Sequence, residues 1–154
     1  MKVINILMLV ILLASCNARN NKNNDVENAE SKSSSEQTSS LVNCYRYTSE
    51  FDTVTLKLIH VGTSITGTLV YNLKEKDKNK GTIQGAMSND VLVANYTFMS
   101  EGVQSVRQVA FKLQGNTFTE GYGDSFEKDG KVVFKDVDAL NFTSQIKLQE
   151  VACQ

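Results

Sequence analysis

From Leu41 to the C-terminus, apolar and polar residues alternate with a period of two, the mark of strands with one buried face. In the stretch 53–61, Val54, Leu56 and Leu58 interleave with Thr53, Thr55 and Lys57. The dipeptides Asn89-Asp90, Gly115-Asn116 and Asp129-Gly130 separate such runs and predict tight turns, and Gly62-Thr63 predicts another. Two-residue loops also set register. Across Gly62-Thr63, His60 faces Ile65, Leu58 faces Gly67, Leu56 faces Leu69 and Val54 faces Tyr71. Across Asn89-Asp90, Met87 faces Leu92, Gly85 faces Ala94 and Ile83 faces Tyr96. Across Gly115-Asn116, Leu113 faces Phe118, Phe111 faces Glu120, Val109 faces Tyr122 and Arg107 faces Asp124. In the first two hairpins apolar or small residues meet on one face, and a one-residue slip would mix the faces.

Eight or nine strands are expected, at about 43–48, 53–61, 64–72, 80–88, 91–99, 105–113, 117–126, 131–137 and 145–152. Short successive links imply an all-β, antiparallel, up-and-down meander, and closing it into a small barrel removes its edges. A two-layer sandwich is the alternative, but its crossovers need longer links than most of these. Gly67 and Gly85 fall on the inward parity, where glycine marks a bend or a close backbone approach. Helical spacing is scarce throughout.

Ahead of this region the pattern changes twice. Residues 1–15 place Lys2 before an apolar run at 3–13, then Ala14 and Ser15. The run has the length of a signal-peptide core and is too short to span a bilayer. Residues 17–40 hold six Asn and six Ser, with Val26 as the one branched aliphatic. Such a segment buries too little apolar area to offset its ordering entropy and reads as a disordered tether. Its coil span is roughly 25–30 Å. Three segments result: signal peptide 1–15, tether 16–40 and barrel domain 41–154.

Leu13-Ala14-Ser15-Cys16 resembles the lipobox of bacterial lipoproteins. The resemblance implies cleavage after Ser15, a diacylglyceryl thioether on Cys16 and an acyl chain such as palmitate on the new N-terminus. Several acyl chains anchor stably where one is marginal. In Gram-negative members an Asp after the lipidated Cys favours the inner membrane. Asn17 stands there instead, which implies the outer membrane. Some lineages send such proteins to the cell surface with an acidic cluster after the Cys. Its absence from Asn17-Ala18-Arg19-Asn20 points to the periplasmic side.

With Cys16 assigned to lipid, Cys44 and Cys153 remain as an even pair in an oxidising compartment. They open the first strand and close the last, where a barrel must seal, so a disulfide is expected. Lipobox, tether, meander and terminal Cys pair together resemble small calycin-like, or lipocalin-like, lipoproteins. The Gly-x-Trp signature of lipocalins is missing, since Trp is absent.

Composition narrows the chemistry. A formal net charge of −1, or −2 once Lys2 is removed, offers no basic field for nucleic acid. One His and three Cys are too few for a zinc or iron–sulfur site, and no cofactor is expected. No Ser or Cys is tied by motif to His60, so no catalytic residue is assigned and the chain is not read as an enzyme. Calcium-loop spacing is missing from the acidic stretch Glu120 to Asp138.

Four inward or near-inward polar residues remain as candidate lumen groups: Arg107, Glu120, Asp124 and His60. Buried charges need partners. Either Arg107 and Asp124 form an internal bridge that plugs one end of the barrel, or the group is a handle for a ligand's polar head. His60 sits at a strand end and reads as a rim residue. The functional expectation is a lipid-anchored envelope protein whose barrel binds a small apolar or amphipathic molecule. The alternative is a packed barrel that meets another envelope protein, as an assembly factor or hydrolase inhibitor, through loops such as 99–105.

Overall fold

The computed structural model describes residues 40–76 and 78–154. The signal peptide, Cys16 and the tether up to residue 39 lie outside the described residues. The described chain forms ten strands: β1 (Leu41–Thr48), β2 (Thr53–Val61), β3 (Ser64–Asn72), β4 (Asn79–Ser88), β5 (Val91–Ser100), β6 (Val103–Gln114), β7 (Thr117–Gly121), β8 (Ser125–Lys128), β9 (Lys131–Phe134) and β10 (Lys147–Val151).

Eight of them close into an antiparallel barrel. Each of β1 to β6 pairs with the next strand, β7 pairs with β10, and β10 returns to β1. The first two hairpins have the register that alternation predicts, including Leu58↔Gly67 and Gly85↔Ala94. Asn89-Asp90 and Asp129-Gly130 take positive φ at both central residues, as a type I′ hairpin turn requires. Glu101-Gly102 does the same and makes a tight turn within the expected loop 99–105.

The barrel has two unlike rims. The near rim carries Leu41, paired with His60, and the two-residue turns at 62–63, 89–90 and 115–116. The far rim carries the β1–β2 and β3–β4 links, the turn at 101–102, and the segment leaving β7. Inward residues fill the space between. Tyr96, Phe111 and Phe118 are fully buried, with Leu56, Leu69, Ile83 and Leu148 around them. Phe118 meets Tyr45 edge-on at 4.8 Å and Phe111 at 6.3 Å. Aromatic edge-to-face pairs of this kind stabilise a core beyond their buried area.

Cys44 and Cys153 form the expected disulfide, with Cα atoms 5.2 Å apart, across the β1–β10 seam. A Cβ at Gly85 would strike the Val93 carbonyl oxygen and lie 2.6 Å from the Ala94 Cα; one at Gly67 would strike the Lys57 carbonyl oxygen. Gly81, also inward, approaches Thr97 in the same way. These glycines let neighbouring strands come closer than any side chain permits.

The chain departs from the expected meander after Gly121. The run 117–126 is two strands, because the β6–β7 ladder ends at Ala110↔Gly121. Val109 therefore does not face Tyr122, and Arg107 does not face Asp124. Tyr122 pairs with Asn141 instead, exchanging backbone hydrogen bonds of 2.9 Å in both directions. The run expected at 131–137 is the short β9, outside the barrel. The β8–β9 hairpin docks where β7 has left β6 uncovered, through one parallel pair, Arg107↔Val132. The Phe134 amide also donates to Gln108 Oε1 at 2.9 Å.

Two consequences are measurable by urea denaturation. Cys44→Ser with Cys153→Ser releases a loop of about a hundred residues and is expected to cost about 4–5 kcal/mol in the chain-entropy account. Gly85→Ala is expected to cost about 1–3 kcal/mol by overpacking, while exposed, outward Ala86→Ser stays within about 0.5 kcal/mol. A Gly85→Ala midpoint equal to wild type would refute the close approach.

Candidate functional site

Inward parity brings Tyr71 of β3, Arg107 of β6 and Glu120 of β7 to the far half of the barrel, above the aromatic floor. They line a cavity of about 370 Å³. Leu73, Val109 and Ile146 add apolar wall, Lys76 of the β3–β4 link adds a second cation, and the β8–β9 hairpin closes one side with Val132 and Phe134.

Glu120 is buried, at 4% exposure. Its two oxygens accept separate phenol hydrogen bonds, from Tyr71 at 2.5 Å and from Tyr122 at 2.8 Å. Burial raises its pKa above the ordinary 4.5, against the lowering by those two phenols and by the charge of Arg107. Burial, then Glu120 itself, pushes Tyr71 well above 10 and Tyr122 to about 12. Both phenols therefore keep their protons, and act as donors, through the neutral range.

Arg107 lies among ring faces. Its Cζ is 5.3 Å from the centre of Tyr71, 5.6 Å from Tyr96 and 5.4 Å from Phe98. Tyr96 and Phe98 stack at 4.7 Å. Arg107 Nε and the Tyr96 hydroxyl are buried without a hydrogen-bond partner. Burial raises Tyr96 to about 12, so its hydroxyl also stays protonated.

The four candidate lumen groups thus separate. Arg107 and Glu120 share the cavity. Asp124 does not: it is 85% exposed and pairs with Lys135 at 3.4 Å. The internal Arg107–Asp124 bridge does not form, because Gly121 ends the ladder before the parity can reach residue 124. His60 is half-buried on the near rim, between Leu41 and Ile65, away from the cavity. Cys16 lies outside the described residues, and Cys44 and Cys153 are bonded to each other. Among the described residues no group of three His, Cys, Asp or Glu side chains is placed to hold a metal.

Sequence reasoning placed Tyr71 and Tyr122 on the inward face but missed their role as donors to Glu120. Inward tyrosines near a buried acid were the available signal. The part of β9 in the cavity wall left no comparable trace. The site belongs to a small closed antiparallel barrel with a filled core and a polar cavity at one end. No family model, curated protein or solved structure matches this chain.

The raised pKa of Glu120 has a testable sign. Between 4.5 and its folded value the native state holds more protons than the unfolded chain, so this group's contribution to stability falls as pH rises through that window. Glu120→Gln carries no such titration. Urea midpoints across about pH 4 to 7 are expected to show the wild type losing stability relative to Glu120→Gln as pH rises. A constant offset between the two proteins would contradict the assignment.

Proposed function

We propose that this is a non-catalytic, lipid-anchored envelope protein that binds a small amphipathic molecule at the far rim of its barrel. The observation that carries the reading is the 370 Å³ cavity, in which an apolar wall of Leu73, Val109, Val132 and Ile146 meets the polar groups of Tyr71, Lys76, Arg107 and Glu120. That combination, at the mouth of a β-barrel, is typical of small-molecule sites, and the volume falls in their lower range. The filled core confines the molecule to the rim, so the site is shallower than an open lumen. Anchoring rests on the lipobox resemblance at Cys16, which also favours the outer membrane and its periplasmic side. Leu41 lies on the near rim, so the strand order puts the start of the barrel domain at the end opposite the cavity.

A second reading is favoured by one specific feature. Phe51, Met99 and Val103 are more than half exposed and all belong to the far rim. They suit a protein-facing rim, as in an assembly factor or a hydrolase inhibitor.

The two readings part in native mass spectrometry of the exported chain, before and after organic extraction. The expected result is a covalent mass that starts at an acylated Cys16, plus a discrete adduct that extraction removes. A mass that retains residues 1–15 would overturn the anchor. A protein free of any adduct when gently purified would leave the protein-facing reading.

A further inference from the structure

Arg107 forms no ion pair among the described residues. Lys135–Asp124 is the only ion pair among the described residues. The nearest acid in the cavity, Glu120, has both oxygens engaged by Tyr71 and Tyr122. Three ring faces hold the guanidinium by their quadrupoles, but they satisfy none of its in-plane donors. Nε is buried and unpartnered. A guanidinium held this way is oriented in advance and short of an acceptor.

We propose that the cavity takes a small organic carboxylate, its oxygens on the Arg107 guanidinium and its short apolar body along Leu73, Val109 and Ile146. The proposal rests on the small-molecule reading above and names the chemical class. Charge selects the sign, since Arg107 and Lys76 both line the cavity and would repel a cationic head. Shape selects the group, because the planar fork of Arg matches a carboxylate with two parallel hydrogen bonds. Volume limits the body. The cavity equals about a dozen waters at roughly 30 Å³ each, and fully buried Tyr96, Phe111 and Phe118 fill the core beyond it. A long acyl chain therefore cannot be buried in full. Glu120 is compatible with an anion beside it, because its two oxygens are already engaged by the Tyr71 and Tyr122 phenols.

Hexanoate, 1-hexanol and inorganic sulfate separate the terms when titrated calorimetrically into the full exported chain. Hexanoate is expected to bind at least about tenfold more tightly than either of the others, the scale of a charge-assisted hydrogen bond. Arg107→Met is expected to abolish the preference for hexanoate over 1-hexanol, and Arg107→Lys to keep part of it. Equal affinities for hexanoate and 1-hexanol in the wild type would overturn the carboxylate while leaving the small-molecule reading intact. Saturable binding of neither would overturn both. Sulfate binding as tightly as hexanoate would overturn the organic body. A preference that survives in Arg107→Met would overturn the role of Arg107. Should Arg107→Met not fold, the wild-type comparison and Arg107→Lys decide.

Discussion

A barrel of eight strands encloses a space little wider than its own inward side chains, and every second residue of every strand must be accommodated there. In this protein the middle of that space goes to large residues, with Tyr96, Phe111 and Phe118 completely withdrawn from solvent. Once the middle is filled, a charged group on the inward parity has to lie toward an end, near water or a partner. Arg107 and Glu120 are such residues, and both lie toward the far rim. The chemistry of the molecule is at one end because the packing leaves it nowhere else.

The rims differ for reasons that begin in the turns. On the near rim, two-residue hairpins hold consecutive strands tightly together, and the Cys44–Cys153 bond fastens the seam close by. On the far rim the β1–β2 and β3–β4 links are longer, and β7 stops after five residues. That early stop uncovers the first half of β6. The β8–β9 hairpin covers it with a single parallel pair and a hydrogen bond from the Phe134 amide to Gln108 Oε1. A wall made in this way leaves space behind it, and the cavity is that space.

The polar groups in the cavity are not arranged as a simple ion pair. Phenols satisfy Glu120, aromatic faces surround Arg107, and Tyr71 serves both. Replacing a direct bridge by two separate environments keeps the guanidinium edge available. A direct bridge would have stabilised the closed barrel and used up the group at the same time. Burial of Glu120 works in the same direction, because desolvation disfavours the charged form of the acid that shares the cavity with Arg107.

Much of this was legible in the residues. Alternation with well-placed turns gave Val54↔Tyr71, Gly85↔Ala94 and Phe111↔Glu120 correctly, and the position of the two cysteines indicated which strands close the barrel. The projection failed at Asp124, where parity was carried past Gly121 although the backbone had changed partner to Asn141, nineteen residues beyond Tyr122. Hairpin pairing depends on residues a few positions apart and on the φ values a turn allows, so sequence alone determined it, along with which side chains point inward. The meeting of Tyr71, Arg107 and Glu120 depends on how far the whole sheet curls before it closes and on where β7 lets go. Every strand contributes to that curvature, so only the tertiary structure could decide it.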